Sequence, residues 1–172
     1  LLGVHKLLNV VRSNSLNSSI LYVSELDALA DDRRGCCLPS GLKVHRHWAG
    51  VGSRAMAFLV PPSCRGRVLR VAWYGRAGYL DFSSPYGGIF RIIGLHAPHD
   101  EESLIHCLAD VRSIVVRRPF GSKFAIVGDF NTDFLPTLQS DPWHADEARF
   151  FRHFDRRMYI NEFTSICNGS LI

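Results

Sequence analysis

The sequence predicts one domain of the α/β or mixed α+β class, and three observations point there. Its 172 residues are 47% hydrophobic and 21% charged, a composition that buries a core. Short β-branched and aromatic runs recur between breaks marked by Gly and Pro. In the second half these runs alternate with segments of helical period.

From the start of the chain, Val4, Leu7, Leu8 and Val11 fall on one face of a helix. Residues 14–19 are a polar turn. Ile20, Leu21, Tyr22 and Val23 form a run too short and too β-rich for a helix, so a strand is expected, with Ser24 and Glu25 at its C-terminal end. Residues 31–42 are charged and aperiodic and are expected to loop. Residues 54–60 predict a strand stopped by Pro61 and Pro62. Residues 67–74 predict another, 75–78 a turn, 79–82 a returning hairpin strand, and 83–88 a loop.

Residues 89–95 are apolar apart from Arg91 and Gly94, as suits a strand buried on both faces. Asp100 then caps a helix, because its carboxylate can accept from the unpaired N–H groups of a first turn. Leu104, Leu108, Val111 and Val115 give that helix its apolar stripe, Arg117 and Arg118 suit its C-terminal end, and Pro119 stops it. Residues 124–127 predict a buried strand ending at Gly128. Asp141 and Pro142 predict a second capped helix, with Phe150, Phe151, Phe154 and Met158 on its core face.

Charge and cysteine content narrow the classes. Twenty Lys and Arg stand against sixteen Asp and Glu, a net +4, which suits a polyanionic partner. Cys36, Cys37, Cys64, Cys107 and Cys167 are odd in number and contain no C-x-x-C pair. That argues against a disulfide framework or a zinc site and for thiols in a reducing compartment. No apolar stretch approaches the roughly 18 residues of a membrane span, so no membrane partner is expected. Trp48, Trp73 and Trp143 are expected in the core. Arg65, Arg67, Arg70 and Arg76, with Arg33, Arg34 and Arg46, are cations that can touch a phosphate backbone.

The sharpest feature is Gly128-Asp129-Phe130-Asn131, directly after a buried strand, where α/β folds present reactive groups. Gly allows a tight turn, Asp offers a carboxylate to a water or a cation, and Asn offers an amide donor to a phosphate oxygen. Two more strand ends carry chemistry. Glu25 is a hard ligand after one apolar run, and Leu95-His96-Ala97-Pro98-His99 places an imidazole after another.

Gly-Asp-Phe-Asn after an apolar strand resembles the signature of the endonuclease/exonuclease/phosphatase family, which includes deoxyribonuclease I, the apurinic endonucleases, inositol phosphatases and the endonuclease domains of non-LTR retrotransposons. The run ending at Ser24-Glu25 resembles the family's metal-binding motif, with Ser24 where Gln is usual. Leu95-His96-Ala97-Pro98 resembles the strand whose His or Tyr faces the scissile phosphate. Glu25, His96 and Asp129 occur in family order, about 70 and then 33 residues apart. Thr132 and Asp133 look most like retrotransposon-type members.

The resemblance implies a four-layer α/β sandwich, two mixed β-sheets flanked by helices, formed by one domain over residues 1–172. It implies Mg²⁺ (or Mn²⁺ in its place) held by Glu25, with His96, Asp129 and Asn131 as catalytic residues and His99 near the bound phosphate. The expected activity is metal-dependent phosphodiester hydrolysis, DNA the expected partner, and the compartment intracellular, the nucleus included. Two family elements are not seen in the sequence, a first strand ending in Asn and a C-terminal Ser-Asp-His that supplies the general-base His, so the sandwich is expected to be incomplete, cut at both ends. His106, His144 and His153 do not fit that role. A phosphatase or lipid phosphodiesterase of the same fold, or a remnant without catalysis, are the alternative expectations.

Overall fold

Alternation of side chains sorts the strands into two sheets. The computed structural model describes residues 19–26, 41–48, 55–129, 166–167 and 170–171. Strands β1 (Leu21–Leu26), β2 (Lys43–Trp48) and β3 (Ala55–Val60) form an antiparallel sheet in the order β1-β3-β2. All six residues of β3 are buried, as a central strand covered on both faces demands.

A 3-10 turn over Pro62–Arg67 leads into the second sheet. Its strands β4 (Val68–Tyr74), β5 (Ala77–Ser83), β6 (Ile89–His96) and β7 (Lys123–Asp129) lie in that order. The first three run antiparallel, and β7 pairs parallel with β6. Parallel neighbours require a long connection, and helix α1 (Glu101–Val116) supplies it. Two short strands, β8 (Ile166–Cys167) and β9 (Ser170–Leu171), pair separately. The class is mixed α/β with sheets of three and four strands. Among the described residues, no helix is long and apolar enough to cross a membrane.

The two larger sheets share one apolar cluster. Phe58 and Val60 of β3 meet Leu80 of β5, with Tyr22, Val71, Trp73 and Ile92 packed around them. Phe58 stacks on Trp73 with centroids 5.0 Å apart. On the opposite face of the four-stranded sheet, α1 lays down Leu104, Leu108, Val111 and Val115, all buried, against Ala77, Tyr79, Ile93 and Leu95. Each such buried aliphatic side chain contributes about 1.5–3 kcal/mol. Asp100 caps the helix by accepting from Ser103 N–H at 2.8 Å.

Arg91, the charge inside an otherwise apolar strand, has an explanation in register. It lies opposite Asp81 on β5. Its Nε and Nη2 donate to the two Asp81 oxygens at 2.7 Å, and Nη1 donates to the Ile114 carbonyl of α1. The guanidinium also sits 3.8 Å from the centre of the Tyr79 ring. Both partners are buried, so each offsets part of the solvation that the other loses.

Some expectations move. β2 is a strand that the sequence pattern hides, because Arg46 occupies an inward position between Val44 and Trp48 and breaks the apolar alternation. Ser24 and Glu25 lie within β1 rather than after it. The turn expected at 75–78 tightens to two residues, and β5 begins at Ala77. The helix expected around Val4, most of the loop at 31–42, Trp143 and the helix expected after Asp141 lie outside the described residues.

Candidate active site at the ends of β1, β6 and β7

Parallel pairing brings the carboxyl ends of β6 and β7 together, with His96 directly opposite Asp129. Strand alternation then sets the face. Ile92 packs into the cluster between the sheets, so Gly94 and His96 point the same way. Ile126 packs under the helix, so Asp129 points away from it, toward the first sheet. The ladder continues past the strand ends: Ala97 N–H donates to the Asp129 carbonyl at 2.8 Å, and His96 N–H donates to Arg76 of the β4–β5 turn at 3.0 Å.

Two glycines make this arrangement possible. A Cβ on Gly128 would lie 1.9 Å from the Leu95 carbonyl oxygen, and the residue takes φ +151°. The sequence suggests a tight turn at this glycine; the structure uses it instead for close approach of β7 to β6. A Cβ on Gly94 would lie 2.3 Å from the Tyr22 ring. Absence of a side chain at Gly94 lets β1 settle over β6, with Tyr22 above it.

Glu25 follows in β1, at a break in register between Val23 and Leu26. Its φ of +57° is unusual for a residue with a side chain and costs on the order of 1–3 kcal/mol. The bulge carries Glu25 to His96, with Oε1 3.7 Å from Nε2. That spacing exceeds a hydrogen bond. It becomes an ion pair only with a protonated ring, and burial pushes the His96 pKa below its usual value. The Glu25 and Asp129 carboxylates work against that shift, while Arg76 and His99 add to it. His96 is therefore neutral at pH 7, and the Glu25 contact is that of a carboxylate with a neutral imidazole.

Glu25, His96 and Asp129 thus meet at one sheet edge, as the strand ends predict. Exposed His99 follows at the start of the turn into α1 and is close enough to influence His96 electrostatically. Asn131 lies outside the described residues. The cations separate: Arg76 stands at this edge, whereas Arg65 and Arg67 lie at the far end of the sheet. Arg70 stands 5.8 Å from the centre of the Tyr79 ring.

Tyr22 belongs to this region too, although in the sequence it is only one residue of an apolar strand. Its hydroxyl oxygen is buried without a hydrogen-bond partner among the described residues. Burial raises its pKa strongly, with Cys107 and Asp129 adding to the effect. Its position two residues before Ser24, on the inward face, is the signal that could have found it.

The donor chemistry here suits a hard cation. Glu25 is half-exposed and offers carboxylate oxygens, and Asp129 offers more beside it. Among the described residues no group of three or more His, Cys, Asp or Glu is arranged to hold a metal. Mg²⁺ does not require one, since it keeps several waters and takes one or two carboxylates.

Comparison with known protein families and with curated proteins finds no match for this chain.

Proposed function

We propose that the chain is built for metal-dependent phosphodiester hydrolysis, as a DNA endonuclease of the retrotransposon type within the endonuclease/exonuclease/phosphatase family and its four-layer sandwich. One observation carries the reading: residues about 70 and 33 positions apart bring two carboxylates and an imidazole to one edge. A structural role alone does not call for a strained glutamate beside a neutral histidine.

In this reading Glu25 holds Mg²⁺, which when bound neutralises charge on the phosphate and on the leaving oxygen. Asp129 accepts a hydrogen bond from the attacking water and orients it in line with the bond to be broken. Neutral His96 donates its ring N–H to a phosphate oxygen, where negative charge grows as the P–O bond breaks. Asn131, two residues beyond Asp129, donates its amide to a non-bridging oxygen. Arg76 adds positive charge at the same edge, and His99 stands near the phosphate. Mild basicity of the chain suits a nucleic-acid substrate.

Nicking of supercoiled plasmid tests this. Cleavage is expected with Mg²⁺, to stop on chelation, and to fall about a hundredfold or more in Asp129→Ala. Undiminished nicking by that variant places the activity elsewhere. Phosphate release from monoesters or inositol phosphates without nicking assigns the site to the other branch of the fold.

A further inference from the structure

The end of the four-stranded sheet remote from Glu25, His96 and Asp129 has a chemistry of its own. Register aligns Val68 with Phe82, Ser83 with Ile89, and Phe90 with Lys123. Three connections therefore gather at one pole: the 3-10 turn before β4, the β5–β6 hairpin, and the link from α1 to β7. The hairpin raises Tyr86, 97% exposed, and the α1–β7 link raises Phe120, exposed as fully as a side chain in an open chain. Around them stand exposed Arg65, Arg67, Arg117, Arg118 and Lys123. Arg65 donates to the Gly41 carbonyl. Arg118 donates to the carbonyls of Val115 and Ser122.

Among the described residues, the acids lie away from Arg67, Arg117, Arg118 and Lys123. Glu25 and Asp129 are at the opposite end. Asp100 and Glu102 begin α1, and Asp110 lies beside Gly75 in the β4–β5 turn. Asp81 is buried and taken up by Arg91. Among the described residues the sheet is thus polar along its length, with one end acidic and the other basic and aromatic, roughly 25 Å away along the eight residues of β6.

We propose that this pole is a second binding surface, for single-stranded nucleic acid, with bases stacked on Tyr86 and Phe120 and phosphates on the surrounding cations. Isolated, fully exposed rings among arginines are what a stacking platform for a polyanion needs. Planar guanidinium groups fit phosphate by paired donors. A bilayer-inserting surface instead calls for a continuous apolar face, and here the two rings stand singly on polar turns. The proposal is independent of the phosphodiesterase reading, since it uses none of the residues at the other end.

Fluorescence anisotropy of a labelled oligothymidylate with the full chain is the test. Tyr86→Ala and Phe120→Ala are expected to weaken binding by about tenfold each, with affinity falling steeply as salt rises. Both positions are exposed, and unchanged far-ultraviolet circular dichroism and melting confirm folding. Independently of any variant, an oligonucleotide carrying 5-iodouridine should photocrosslink to Tyr86 or Phe120 in the parent protein. Unchanged affinity in the folded double variant overturns the proposal, as do crosslinks confined to the His96 end. Binding to phosphatidylserine vesicles lost in the double variant, with no oligonucleotide bound, overturns it in favour of a membrane. In Asp129→Ala, loss of nicking with retained oligonucleotide binding keeps the two sites distinct.

Discussion

Gly128→Ala is the substitution on which the geometry of the site bears most heavily. The added methyl would lie 1.9 Å from the Leu95 carbonyl oxygen, whereas real Cβ contacts do not come under 3.0 Å. The strands must therefore separate by about 1.1 Å, the difference of those two distances. A ladder carbonyl cannot rotate away as a side chain can, and φ +151° adds strain for alanine. Overpacking of this kind costs about 1–3 kcal/mol, and the dihedral brings the total to about 3. For 172 residues this lowers the melting temperature by roughly 6–12 °C. The shift falls between His96 and Asp129, and on the proposed function a displacement near 1 Å costs catalysis about a hundredfold. Gly66→Ala is the matched control, since nothing lies within 4 Å of its added methyl. Thermal melts and plasmid nicking, both variants beside the parent, read the two effects. A Gly128→Ala protein that melts and nicks like Gly66→Ala refutes the close approach of β7 to β6.

Three further outcomes follow from the packing. Asp81→Ala strands the buried Arg91 charge and should cost about 3–5 kcal/mol, seen in urea denaturation, whereas Asp81→Leu with Arg91→Met should recover much of the loss. Burial, with Lys43 beside it, holds the His45 pKa below its usual value, so the unfolded chain takes up the proton first as pH falls. Its contribution is intact above about pH 6.5 and lost below, and the urea midpoint of His45→Gln should fall less steeply on acidification than the parent's. Burial pushes the Cys107 thiol up to about 12. In native protein at pH 8, peptide mapping after alkylation should find Cys107 unmodified.

The sequence carries most of the strand and helix pattern because binary patterning is clean where packing is simple. Leu104, Leu108, Val111 and Val115 announce the face α1 buries, and the run after Ile89 announces a strand covered on both sides. Pattern fails where a polar side chain occupies an inward position. Arg46 hides β2, and Arg91 resembles an interruption until Asp81 is found in register opposite it. Local sequence likewise places Glu25, His96 and Asp129 at strand ends but carries nothing of the bulge that turns Glu25 through a positive φ. Nor does it bring Tyr22 over Gly94, since that contact belongs to the packing of one sheet on the other. The charge separation between the two ends of the sheet emerges only when strand register groups turns that are far apart in the chain.

Paramagnetic broadening of histidine resonances by substoichiometric Mn²⁺ tests most directly whether these three strand ends share one cation. The His96 ring protons should broaden well before those of His45, and the effect should vanish on Glu25→Gln and on addition of excess Mg²⁺. A His96 signal that stays sharp, or one that broadens equally in Glu25→Gln, contradicts a shared cation site.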